Sequence, residues 1–255
     1  MSSAQVPAAD LWQTLRAATP ARIGLGRAGD ALPLCAVLDL QLDHARARDA
    51  VHAALDTDTL AAELAPLAVL QVRSAAPDRP TYLRRPDLGR RLADATCLPD
   101  GQGCDVLFVI GDGLSATGVQ AGAAALVRAC MAQLPELTIG PVVIACQARV
   151  ALADEIGERL RARVTVMVIG ERPGLSVADS LGIYMTFAPH VGRADSERNC
   201  ISNIHGAGGL CTAQAAQTLG WLLREALRRQ LSGVDLKVDA AHLSSSNSPP
   251  LEGPR

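Results

Sequence analysis

The stretch Arg163–Ser176, RVTVMVIGERPGLS, decides the fold. Val164–Ile169 is a short apolar run rich in β-branched residues, the pattern of a strand buried on both faces. It stops at Gly170-Glu171-Arg172-Pro173-Gly174. Pro173 has no N–H to give to a ladder and biases Arg172 away from helix, while Gly170 and Gly174 permit tight backbone geometry. A buried strand that breaks into glycine, a carboxylate and a guanidinium marks a site, because ligands of open α/β sheets lie outside the carboxyl ends of the strands.

Upstream of this strand the same grammar repeats. Residues 105–110, DVLFVI, read as a strand that runs into Gly111-Asp112-Gly113-Leu114-Ser115, and an Ala-rich helix follows to about Leu134. Residues 140–146 read as the next strand and Val150–Leu160 as the next helix. Strand, helix, strand, helix, strand at this spacing implies right-handed crossovers and a parallel sheet. Downstream, residues 182–188 read as a further strand, and CISNIHGAGG (200–209) leads into an amphipathic helix over about 212–231. The expected class is α/β, a Rossmann-like parallel sheet flanked by helices and preceded by a mainly helical N-terminal region.

That N-terminal region carries helical patterns at 10–18, capped by Asp10, at 34–54, and at about 57–64. Residues 67–75 read as a strand. After an Asp78-Arg79-Pro80 turn, a brief extended piece precedes a helix starting near Pro86, where proline at the first position fits a helix start. Arg84, Arg85, Arg90 and Arg91 form a basic cluster. The turn-rich Pro99–Gly103 divides the chain into 1–100, a mainly helical region with an Arg/Gly-rich arm, and 101–243, the sheet domain. Residues 244–255, SSSNSPPLEGPR, read as a disordered tail.

Composition narrows the function classes. A formal charge of −2, with two Phe, two Tyr and two Trp, provides neither the charge nor the stacking surface of a nucleic-acid binder. No run approaches the ~18 apolar residues of a membrane span, and the start lacks a signal peptide's basic and apolar regions; a soluble cytoplasmic protein is expected. Seven cysteines without a CxxC pair and five histidines without HExxH spacing lead to the expectation of no metal held by side-chain clusters.

Several motifs fall short of their chemistry. Gly24, Gly26 and Gly29 spell GxGxxG, but Pro20 and Pro33 bracket them and no helix opens from the last glycine, so an extended arm is expected in place of a dinucleotide site. There is no P-loop and no GxSxG elbow. Asp112 and Ser115 suit either ligand contact or the N-terminus of the following helix. A Cys200–His205 pair lacks an orienting third group.

Five strings, in order along the chain, carry a resemblance: TPARIGLGRAG (19–29), YLRRPDLGRRL (82–92), DGLSA (112–116), IGERPGLS (169–176) and CISNIH (200–205). Together they resemble the light chain of ethanolamine ammonia-lyase. The resemblance implies a subunit of an adenosylcobalamin-dependent lyase, whose large subunit is a (β/α)8 barrel holding ethanolamine and most catalytic residues. It implies a trimer of (αβ)2 units, residues 101–243 as the domain covering the cobalamin, and a place in the cytoplasm within a bacterial microcompartment. By motif, Val150, Glu171 and Cys200 are the implied cofactor-binding residues, and no catalytic residue is expected from this chain. Chemically, Glu171 can accept the N–H groups of corrin-rim amides, while Val150 and Cys200 are small enough to lie against a flat macrocycle. Asn203-Ile204-His205-Gly206-Ala207-Gly208 approaches D-x-H-x-x-G, the signature of proteins that place a histidine on cobalt. Asn stands where Asp orients the imidazole, so His205 reads as a wall or interface residue. Two rival functions remain beside this one: a stand-alone nucleotide-binding α/β enzyme and a non-catalytic partner-binding module.

Overall fold

Leu107, Phe108, Val109 and Ile110 are each fully buried, which requires cover on both faces of their strand. The computed structural model describes residues 11–19, 21–93, 98–99 and 101–238; the Asp10 cap and the tail at 244–255 lie outside them. Three helices open the chain: α1 (Leu11–Ala17), α2 (Leu34–His52) and α3 (Thr57–Leu64). Then come β1 (Val69–Arg73), α4 (Arg79–Arg84), β2 (Cys104–Gly111) and α5 (Ala116–Ala132). β3 (Val142–Cys146), α6 (Leu152–Arg159) and β4 (Ala162–Gly170) follow. β5 (Leu181–Phe187), β6 (Arg198–Ile204) and α7 (Thr212–Arg229) complete the order.

The strands form one six-stranded sheet in the order β1-β3-β2-β4-β5-β6. β1 to β4 pair in parallel, as expected. β5 is antiparallel to β4, and β6 to β5, so the expected parallel sheet gains an antiparallel edge. The chain between β4 and β5 is too short for a helical crossover, and a direct return leaves only antiparallel pairing. CISNIH, expected only as the lead into the last helix, lies largely in strand β6, where buried and exposed positions are mixed as in an edge strand. β1 contributes an edge strand from before the Pro99–Gly103 turn.

α5 and α7 cover one face of the sheet, where Phe108, Ile144, Val166 and Ile183 meet Val127 and Leu223. The opposite face is covered by α6, whose Leu152 and Ile156 pack on Leu107, Val109 and Met167. β2 hands on through α5 and β3 through α6, so these neighbouring strands leave toward opposite faces. Their carboxyl ends therefore flank a crevice of the kind that open α/β sheets use for ligands.

Helix starts follow local chemistry. Asp56 accepts from Thr59 N at 3.0 Å and Asp78 from Thr81 N at 2.8 Å. The second of these corrects the sequence reading: with Asp78 as cap and Pro80 in its first turn, the helix is Arg79–Arg84, and Leu88–Arg90 is only a 3-10 turn. Gly24, Gly26 and Gly29 all have positive φ in a segment without strand or helix, in keeping with the expected arm. Among the described residues no helix is long and apolar enough to cross a membrane. Trp12, Leu15, Leu34, Leu38 and Leu42 are exposed along α1 and α2.

Candidate functional site

Asp112, at the exit of β2, is buried and accepts from Gln147 N and Ala148 N, each at 2.9 Å. Arg79 approaches the same carboxylate at 3.4 Å and donates to Gly113 O at 2.8 Å. Burial pushes the Asp112 carboxyl up, opposed first by the two backbone N–H groups. Asp112 thus ties β2 to β3 across the crevice. Ser115 is the cap, accepting from Gly118 N at 3.1 Å while donating to Ala178 O at 2.7 Å.

Beside this knot lies Tyr82, fully buried, with its hydroxyl donating to Ala148 O at 2.9 Å. The Arg79 and Arg149 guanidinium carbons lie 4.7 Å and 4.4 Å from its ring centre. Burial pushes the Tyr82 hydroxyl up to about 12, with Arg149 opposing, so the ring stays neutral between two cations.

α6 packs on β2 to β4 and reaches β6 through the Asp154–Arg198 pair, while the face of the β5–β6 hairpin beside Val150 borders open space. Tyr184 and Cys200 are cross-strand partners on that face, and both border one hollow there. Burial pushes the Tyr184 hydroxyl up to about 12, and the Cys200 contact adds to the shift. Burial likewise raises the Cys200 thiol, although the residue as a whole is exposed. Two adjoining hollows occupy this face. One, of about 410 Å³, is bordered by Tyr82, Gly113, Arg149, Val150, Glu171 and Tyr184. The other, of about 330 Å³, is bordered by Arg90, Arg149, Val150, Tyr184, Asp195 and Cys200.

Val150, Glu171 and Cys200, far apart in the chain, are therefore brought to one place. Val150 lines both hollows, Glu171 the first and Cys200 the second. The Glu171 carboxylate accepts from Ser180 Oγ at 2.6 Å and from Asn203 N at 3.2 Å. It lies on Gly182, where a Cβ would meet Glu171 Oε1 at 2.9 Å. A carboxylate offers about four acceptor sites, so its two partners leave capacity toward the hollow.

The buried pair Arg198–Asp154, at 2.7 Å, joins α6 to β6 behind this wall. Burial raises the Asp154 carboxyl and Arg198 opposes it. His205 stands apart. Its Nδ1 accepts from Ala207 N at 3.2 Å, which leaves the proton on Nε2 to donate to Asn203 Oδ1 at 2.8 Å. Both ring nitrogens serve the loop, and Cys200 pairs with Tyr184, not with His205.

A larger cavity, of about 600 Å³, lies on the β1 side of Asp112. Two of its polar side chains are engaged within the chain: Gln71 with Asp58 at 3.3 Å and Arg73 with Pro77 O at 3.3 Å. The smaller hollows hold the greater concentration of ligand-directed chemistry. Sequence reading did not single out Arg149, Tyr82 or Tyr184. A usable signal was the rarity of tyrosine, since both tyrosines of the chain border one hollow.

Residues 9–237 match the family described as ethanolamine ammonia-lyase light chain (EutC). The chain is similar to the ethanolamine ammonia-lyase small subunit of Xanthomonas campestris pv. campestris, 51% identical over 94% of this chain and 92% of that one. The small subunit of Bradyrhizobium diazoefficiens is 53% identical over 89% of this chain and 90% of its own length. That of Azotobacter vinelandii is 52% identical over 94% and 93%.

Proposed function

This chain belongs to the ethanolamine ammonia-lyase light-chain family, and from that premise we propose that its paired hollows form one wall of an adenosylcobalamin site completed by a large subunit. The observation that carries the proposal is the meeting of Val150, Glu171 and Cys200, from three separate sheet exits and strands, around Tyr184. The residues present fit such a group. Arg149 Nε is buried without a partner, the Glu171 carboxylate keeps free acceptor capacity, and Val150 and Cys200 offer small apolar contact surface beside it.

In this proposal the large subunit converts ethanolamine to acetaldehyde and ammonia. Bound adenosylcobalamin supplies the hydrogen-abstracting carbon radical, and protein supplies binding, orientation and exclusion of water. This chain's contribution is the second part. Glu171 accepts from amide N–H groups of the corrin rim, held in place by Ser180 and Asn203. Val150 and Cys200 seal the macrocycle edge against water. Tyr184 and Tyr82 stay protonated through the physiological range and offer no base. The chain provides no nucleophile or proton relay, and is inactive alone.

The exposed apolar residues Trp12, Leu15, Leu34, Leu38 and Leu42 support a chain that works under a partner's cover. A trimer of (αβ)2 units and enclosure in a bacterial microcompartment belong to the same proposal, as does the assignment of residues 101–243 as the cofactor-covering part. The test is acetaldehyde release from ethanolamine and adenosylcobalamin by the matching large chain, with and without this one. Release only when both chains are present is expected; full activity from the large chain alone overturns the proposal.

A further inference from the structure

Arg149 is held in an unusual way for a surface-facing cation. Its backbone N–H donates to Gly89 O at 2.8 Å. Its stem passes over Gly89, where a Cβ would meet Arg149 Cγ at 2.7 Å. Its guanidinium lies on the Tyr82 ring. The side chain is thereby fixed at the border of both hollows.

Arg79, also over that ring, is paired with Asp112, although its Nη2 too is buried without an acceptor. Arg149 forms no ion pair among the described residues, and its Nε is buried without an acceptor. Leaving a buried donor unmade is costly, more so on a charged group. The nearby carboxylates do not serve it: Glu171 takes Ser180 and Asn203, and Asp195 turns to Arg198 at 3.4 Å. Two features add positive potential. Arg90 borders the second hollow and is exposed. α6 begins just after Val150 with Ala151 at its cap, which has no side-chain acceptor for the helix N–H groups. The missing partner is thus an anion with oxygen acceptors.

We propose that Arg149, backed by Arg90, is the anion subsite of these hollows and takes the phosphodiester of the cofactor's nucleotide loop. The inference rests on the cobalamin reading. Cobalamin carries amides around its rim and a single anionic phosphodiester, and one clamped guanidinium with no carboxylate of its own matches that group in charge and in hydrogen-bond geometry.

The experiment uses the reassembled complex of both subunits and two corrinoids: cyanocobalamin, and dicyanocobinamide, which lacks the nucleotide loop and its phosphate. Equilibrium binding is read by ultrafiltration and corrin absorbance. Arg149→Gln is expected to weaken cobalamin binding about tenfold or more and to leave cobinamide binding within about twofold, with Arg149→Lys intermediate. An equal loss for both corrinoids, or no loss for either, overturns the subsite. If Arg149→Gln does not assemble, Arg90→Gln at an exposed position decides: a selective loss of about threefold for cobalamin supports the subsite, and no selective loss overturns it. Binding of neither corrinoid by the wild-type complex sinks the cofactor reading itself. Equal binding of both by wild type and by Arg149→Gln sinks the subsite alone.

Discussion

Asp154→Ala removes the acid of a fully enclosed ion pair, and its cost can be worked from the surroundings. Both side chains are 2% exposed, and the Arg198 guanidinium touches the carboxylate at 2.7 Å. After the substitution Arg198 keeps Thr186 Oγ1 at 3.1 Å and Arg193 O at 2.8 Å. Asp195, 82% exposed and 3.4 Å away, replaces little of the lost charge. Charge centres about 4 Å apart at an effective dielectric near 20 interact by about 4 kcal/mol. Breaking a buried pair by removing one partner costs about 3–5 kcal/mol. With two neutral acceptors remaining, about 3–4 kcal/mol is expected. At roughly 2–4 °C per kcal/mol for a chain of this size, Tm falls by about 6–16 °C.

The assay is thermal unfolding followed by circular dichroism, with urea titration in parallel. The double substitution Asp154→Leu with Arg198→Met replaces the charges by apolar groups and is expected to recover at least half of the loss. A Tm within about 2 °C of wild type for Asp154→Ala refutes the reasoning, as does a double variant less stable than the single one. The pair also joins α6, which starts beside Val150, to β6, which carries Cys200. The single variant is therefore expected to loosen the candidate site as well as the fold.

Two further outcomes follow from the same geometry. Gly113→Ala puts a Cβ at 2.2 Å from Gly170 O, at a residue with φ of +54°, so destabilisation of about 3 kcal/mol or more is expected as a lowered urea midpoint; an unchanged midpoint contradicts it. The Asp105 carboxyl is held below its ordinary value of 3.8 chiefly by Thr138 N–H, with the Thr138 hydroxyl and Arg163 assisting. A depressed folded value means stability that is present above pH 3.8 and lost as pH falls through the folded value. Asp105→Asn is thus expected to flatten the acid limb of a stability-against-pH curve below about pH 4 and to leave the wild-type limb steeper.

The parallel half of the sheet was legible because its strands are continuous apolar runs. Residues 105–110 and 164–169 have no polar face to disguise them, and burial on both sides is what such runs need. β6 was not legible for the opposite reason. Arg198, Asn199, Cys200 and Asn203 give it a mixed surface, and only pairing with β5 makes it a strand. The Arg79–Arg84 helix was displaced because Asp78 and Pro80 suit both a turn and a helix start; the bond from Thr81 N decides between them.

The site divides in the same way. Glu171 follows from the way its strand ends, whereas Val150 and Cys200 came from the resemblance to a known family. The roles of Asp112, Tyr82 and Arg149 depend on contacts between segments dozens of residues apart, and no local pattern encodes those.

The central claim is that a corrinoid covers the wall formed by Val150, Glu171 and Cys200. Its most direct test is the alkylation rate of Cys200 in the two-subunit complex, with and without saturating cobalamin. The measurement is made by peptide mass spectrometry at alkaline pH, because burial raises the thiol. Exposed Cys211, which borders neither hollow, serves as the internal reference. The account predicts slowing of Cys200 by about tenfold or more at an unchanged Cys211 rate, in keeping with a bound group that excludes solvent. Equal rates at Cys200 with and without bound cofactor would contradict it.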